Sequence, residues 1–508
     1  MNRLFFTLFF LVLYLYSMNN FAQIEQPRRA EIELNYQENF FTVVSAEENG
    51  LIVFREKDDV VRNGNSAWEF IKYDTALNQE WIQNYDIAFD QEFIGFEYAH
   101  NDLFLLFKKG PYHHTELKMI RIGLENGDSS HYNIKNLIPI ALTDFNVVGS
   151  AALLSGRVNN RALVIHYNYL DKKLKVLPGM YKNHTEITEI KVDDLNNTFS
   201  IIMTERTVDR RNTVSTKTFN ENGEIIKTAI LSPDQKYNFL YGRSTTFDDN
   251  LQFILGTYSL GNSNYSRGIY IARVEEGGRE EINHYNFGDL DNFFSYMKAK
   301  RQDRIKNRIA RRKIKGKKVK FNYRLLVHDI IERDGKYIML AEAYYPRYTN
   351  SNYFYGPGYN SFGRSRDMQS MYFDGYKYTH AIVLGFDQKG KLLWDNSFEI
   401  NDVISYNLEK FVNASVEQDK IVLLYLYENV VRSKIISNNK VLEGKAFNDI
   451  KLKFEDDVVK NNDNKIGGLE HWYGNNFFAF GVQTIRNFKN LAIKPSREVF
   501  YINKITYN

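Results

Sequence analysis

Cysteine is absent from the 508 residues. Its absence excludes a disulfide framework, a thiol nucleophile, a Cys-ligated metal and a lipid carried on an N-terminal cysteine. An exported chain without disulfides has to draw its stability from its core. Proline is scarce, at 8 residues, which argues against long disordered linkers. Beyond the N-terminal segment no apolar run approaches the roughly 20 residues of a membrane-spanning helix. There is no Gly-x-Ser-x-Gly elbow, phosphate-binding loop or His-Glu-x-x-His helix, so the common nucleophilic, nucleotide-binding and zinc-protease chemistries have no foothold. No cofactor is expected.

What is present is a globular composition, 43% hydrophobic and 25% charged. Aromatics reach 15%, with 35 Tyr and 37 Phe, residue types that suit pleated, half-buried surfaces. The N-terminus has the pattern of an export signal: Arg3, then the apolar run Leu4–Ser17, then a stretch ending in Phe21-Ala22-Gln23. Cleavage is expected after Ala22, making 1–22 a signal peptide; an uncleaved anchor helix is the alternative. The mature chain is therefore expected in the periplasm or associated with the outer membrane, and not as a lipoprotein.

Two kinds of hairpin signal alternate along the chain. One sets apolar alternation on both sides of a polar turn, as in Phe93–Phe107 around His100-Asn101-Asp102. The other is strand, turn and strand with a polar-aromatic tail, as in Thr216–Ala229 around Asn220–Gly223. Each pair supplies four antiparallel strands. Turns of the second kind recur at intervals of about 46 to 55 residues, apart from one interval of about 112. That pattern predicts an all-β fold, an eight-bladed β-propeller, with seven blades the alternative if Phe145–Val176 is not a separate blade. The last unit lacks a fourth strand. The alternating stretch Ala30–Asn35 is expected to supply it, closing the last blade and leaving 23–508 as a single domain. The Phe-Ala-Gln signal ending, the absent cysteine and the Tyr/Asn/Lys-rich blades resemble exported β-propeller proteins of Bacteroidetes type. No WD40, kelch or Asp-box signature is present. The resemblance implies a periplasmic or surface location and no particular activity.

Most polar clusters have a structural explanation. His328 and Asp329 adjoin in a predicted strand and so point to opposite faces, as do Glu470 and His471. His113 and His114 lack a third ligand for a metal. The Asp/Asn-rich runs at 288–292 and 461–464 lack the closing Glu of a calcium hand and read as turns and caps.

The stretch Leu290–Tyr378 is different in kind. From Lys298 to Lys320 there are 13 Lys/Arg and one Asp, a net of +12, leaving −8 for the rest of a chain whose formal charge is +4. A helix from about Asn292 to Lys313, capped by Asp291, would align Phe293, Met297, Ile305 and Ile309 on one stripe. Tyr344–Tyr378 holds 12 aromatics, including Tyr353, Tyr355 and Tyr359, with Gly and Ser between them, the composition of recognition loops. In an up-and-down blade the two insertions, at about 290–320 and 345–377, should leave the same face. These features predict a non-catalytic binding or assembly protein. Arg301, Arg304, Arg308, Arg311 and Arg312 would make anionic contacts, and Tyr353, Tyr355 and Tyr359 would act as aromatic anchors. The expected partner is a protein or an anionic envelope surface (lipid head groups or an acidic protein), with an outer-membrane barrel a further option and nucleic acid excluded by export. Two alternatives stay open. One is a glycan-active or glycan-binding propeller with carboxylates near its axis. The other is a periplasmic subunit or plug of an outer-membrane secretion channel.

Overall fold

The computed structural model describes residues 24–35, 41–62, 64–110, 113–135, 138–234, 236–245, 251–275, 280–350 and 371–507. The expected signal peptide lies outside them. Eight antiparallel sheets follow one another along the chain, seven of four strands and one of six, the blades of an eight-bladed β-propeller. By residue contacts the chain divides into two compact units. One comprises residues up to 58, 69–82 and 413 onwards; the other comprises 59–68 and 83–412.

The first unit holds blades seven and eight and most of blade one. Blade eight is completed by the N-terminus: Ile24–Glu33 pairs antiparallel with Ser496–Tyr507, with Ala30 opposite Ile502. The expected closure is thus present, with a strand that begins six residues earlier than the alternation at Ala30 suggests. A buried polar seam holds it. The Arg29 guanidinium donates to Glu31 Oε1 at 2.7 Å, Asn503 Oδ1 at 2.9 Å and Gln483 Oε1 at 2.8 Å. It also lies 4.5 Å from the centre of the Tyr501 ring. Trp472 in blade eight donates its indole N–H to Gly50 O in blade one at 3.0 Å, above a core of Phe41, Val53, Phe478 and Phe500.

Blades two to six form the second unit. Their middle strands are buried on both faces, and Leu103–Phe107 is fully buried residue after residue. The strict alternation expected from sequence is confined to outer strands such as Ile225–Leu231, where exposed and buried residues alternate from Ile226 onward. First strands of successive blades pack beside one another. Those of blades two to five each carry a register break, at Phe93/Gly95, Leu142/Asp144, Ile187/Glu189 and Phe239/Tyr241. Opposite two of these bulges the chain needs glycine for close approach. A Cβ on Gly156 would lie 2.2 Å from Ala141 O, and one on Gly256 would lie 1.9 Å from Tyr241 O.

In blade five the first strand is Tyr237–Ser244, although the apolar alternation in the sequence begins only at about Thr245. The apolar pattern misplaces it because Gly242, Arg243 and Ser244 break the run. In blade six the first strand is split into Arg324–Val327 and Ile331–Arg333, and a two-residue strand, Ile404–Ser405, adds to the third.

The polar seam of blade eight generates the first prediction. Arg29→Ala strips a buried charge from its partners and should cost about 3 kcal/mol. Urea unfolding should show a lower midpoint with an unchanged slope; a midpoint equal to wild type would contradict the assigned role.

Candidate functional site

The basic insertion leaves blade five through a short 3-10 turn, Phe287–Asp289, capped by the Asn286 side chain, which accepts Gly288 N–H at 2.9 Å. Asp291 does not cap a helix. Its backbone N–H and that of Asn292 instead donate to the two carboxylate oxygens of Asp395, at 3.0 and 2.7 Å, and Asn292 Nδ2 donates to Asp395 O. Ser397 Oγ accepts Tyr296 N–H at 3.1 Å. Held this way, residues 291–297 form turns, and the helix, α1, is Ala299–Ile314. It therefore starts seven residues later than periodicity alone suggests. Its run of Ala, Arg, Lys, Gln and Ile contains no Gly or Pro, and its last-turn cations complement the helix dipole. Gly316, at φ +63°, ends it in a Schellman motif: Lys317 N–H reaches Arg312 O and Gly316 N–H reaches Lys313 O.

The apolar stripe is used inward. Phe293 is buried, and Met297, Ile305 and Ile309 pack against the core between blades five and six. Phe293 and Tyr323 present edges to His380, while the Tyr296 ring stacks on it at 3.7 Å. Burial in that box pushes the His380 imidazole down to about 3, so it is neutral at any physiological pH. With the stripe half-buried against that core, Arg301, Arg304, Arg308, Arg311 and Arg312 are all exposed. At 100° and 1.5 Å per residue they share an arc of about 100° and a length of about 17 Å. Among the described residues none of the five has a carboxylate partner. The neighbouring Lys313 and Lys318 do, both on Asp289.

Tyr353, Tyr355 and Tyr359 lie outside the described residues. The expected 345–377 loop is, in its described part, a two-stranded arm. The strand Lys336–Asn350 pairs with Met371–Phe386 beyond the body of the sheet, through Tyr345↔Lys377, Pro346↔Tyr376 and Tyr348↔Phe373. Tyr345, Tyr348 and Phe373 are exposed on it, and Arg347 pairs with Asp374 at 2.8 Å. The register Arg324↔Tyr344 puts the exit from the helical insertion and the root of the arm at the same end of blade six. The two insertions therefore leave one face, as expected.

Sequence spacing did not nominate which ionisable groups gather on first strands of the second unit. Desolvation, reinforced by repulsion from Asp144 and opposed by the Asn146 amide, pushes the Glu97 carboxyl up to about 8. Asp144 is itself raised by desolvation and accepts Phe145 N–H at 2.9 Å. Glu189, also raised by desolvation, pairs with Arg243 at 3.3 Å and accepts Ser244 N–H at 2.7 Å. Asp329 takes Arg243 and Lys410 at 3.2 and 3.3 Å. The bulges at Asp144 and Glu189 are the signal that periodicity hides. His328 turns away from Asp329 and meets the fully buried Glu342, Nε2 to Oε1, at 2.8 Å. Glu342 Oε1 also accepts the backbone N–H groups of Phe411 and Val412. Glu470 is pushed up to about 7 by desolvation, while His471 bonds Gly474 O, so that neighbouring pair is no dyad either. Among the described residues no group of three His, Asp or Glu could hold a metal ion, and no helix is long and apolar enough to cross a membrane.

No family model matches the chain, and no curated protein matches it. Solved structures do resemble it. The β-propeller domain of the Trilobed protease from Pyrococcus furiosus is 11% identical at a TM-score of 0.35, over 81% of this chain and 95% of that one. The polysaccharide lyase Uly1 is 9% identical at 0.41, over 95% and 99%. A prolyl endopeptidase is 8% identical at 0.37, over 81% and 50%. At these scores the likenesses carry no argument about function.

Glu97 gives a pH prediction. Folding favours its neutral form, so its contribution to stability is complete below the ordinary glutamate value of 4.5 and fades as pH rises towards about 8. Glu97→Gln stays neutral throughout and should remove that part of the decline in melting temperature between pH of about 5 and about 8. An unaltered pH profile would show that Glu97 ionises normally in the folded protein.

Proposed function

We propose that this protein is a non-catalytic binding or assembly factor whose working surface is the blade-six face carrying α1 and the aromatic arm. Its partner is an acidic protein. The observation that carries the reading is the division of labour in α1: the apolar stripe packs on the core, and five arginines with no carboxylate partner among the described residues share the exposed flank. A helix that binds bilayers must offer its apolar side to the acyl boundary, and here that side is occupied. Arginine beside exposed Tyr and Phe is instead the composition of protein–protein contact centres. On this reading the encounter takes place in the periplasm or at the outer-membrane face, as the expected export signal implies.

A second reading, a glycan hydrolase, draws on Glu97 and Asp144. A protonated carboxyl beside a second acid is the pairing such chemistry uses. Glu189 and Asp329, by contrast, are engaged by Arg243 and Lys410, so that reading rests on Glu97 and Asp144.

The test of the binding reading is Arg304→Glu/Arg308→Glu/Arg311→Glu. The wild type should bind a synthetic Glu-rich helical peptide, more weakly as salt rises from about 50 to about 300 mM, and should hold it better than it holds vesicles containing anionic lipid. The triple variant should lose peptide binding while melting as wild type does. Equal peptide binding by variant and wild type, or a preference of the wild type for the vesicles, would refute the reading.

A further inference from the structure

Between the root of the arm and the exit from the helical insertion lies a cavity of about 390 Å³. Asn212, Tyr241, Thr257, Ser266, Arg324 and Tyr344 line it, all in the second unit. It is a polar cavity with one cation. Arg324 starts the first strand of blade six, directly opposite Tyr344, so its position is fixed by the sheet register. Its guanidinium carbon lies 5.2 Å from the centre of the Tyr265 ring, a contact that orients the planar group. Among the described residues no carboxylate pairs with it, and its Nε is buried without a hydrogen-bond partner. Such a donor is costly to leave unmade. The lining offers hydroxyls and amides together with the apolar side chains of Leu240 and Leu325. Backbone bonds between Ser266 and Tyr323, at 2.8 and 3.3 Å, hold the floor in place without any ligand.

We infer that this cavity is a carboxylate-recognition pocket in which the Arg324 fork receives an acid group of the docked partner. The inference rests on the reading of this face as the site for an acidic protein and adds what that reading lacks. A row of surface arginines selects for charge alone, whereas one oriented guanidinium in a cleft selects for position. Arg324 thus fixes the register of the partner along the arginine row. The acid group has two possible sources, an Asp or Glu side chain or the C-terminal carboxylate of the segment, and both present the same two oxygens to the fork.

The experiment uses the full-length chain and a Glu-rich helical peptide ending in Tyr, prepared with a free C-terminus and as the amide, with affinity read by fluorescence anisotropy. Arg324→Gln should weaken binding of the free-acid peptide about tenfold. Arg324→Lys keeps the charge and the stem but not the fork. It should melt as wild type does and still lose several-fold, which separates recognition from misfolding. Loss of affinity on amidation in the wild type, absent in Arg324→Gln, assigns the pocket to a chain terminus; insensitivity to amidation with an intact Arg324 effect assigns it to a side chain. If both Arg324 variants bind the peptide as wild type does while the triple α1 variant fails, the pocket inference is overturned and the face remains. If the triple variant also binds normally, the reading of the face falls with it.

Discussion

Each blade needs cover on both faces. A four-stranded sheet whose middle strands are wholly apolar, as at Leu103–Phe107, has no stable existence alone, and its neighbours supply the second surface. Most other features follow from that demand. Blade eight is completed by a strand from the opposite end of the chain, so the sheet that begins the sequence also finishes it. The core between blades five and six is completed by Phe287, Phe293 and Phe294 from the insertion, which is how an extra segment became part of the framework.

The same demand sorts the charges. The apolar side chains of the insertion are drawn into the seam and its cations are left outside. The arginine row is therefore a by-product of packing, whatever binding role is proposed for it. A helix fixed along one side, with Asp395 and Ser397 holding its approach and a Schellman turn ending it, presents its guanidinium groups in a set order. Less side-chain and backbone freedom is then lost on docking than a flexible basic tail would lose.

Much of this architecture is legible in the sequence because Gly, Asn and Asp turns separate short strands at regular intervals, and the local chemistry of a hairpin does not depend on its neighbours. What is not legible depends on partners distant in sequence. The start of α1 is decided by Asp395, about a hundred residues away, which competes for the N–H groups that a longer helix would have used. The first strand of blade five is hidden because a bulge and a run of Gly, Arg and Ser disrupt its alternation. Bulges also set Asp144 and Glu189 among other ionisable groups, a placement that a period of two does not convey. The candidate site was legible as charge and aromatic content. The cavity at Arg324 was not, since it forms only when residues from 212 to 344 converge.

The helical insertion is fastened at both ends, to different blades. Its approach is bonded to Asp395 and Ser397 on the outer strand of blade six. Its exit is bonded to Ser266 and, through Phe321 O, to Arg267 of blade five at 2.9 Å. Mechanically this makes α1 a strap across a seam. Tension from a bound partner would be shared between two sheets and resisted in shear by several hydrogen bonds at once, instead of peeling one strand from one edge.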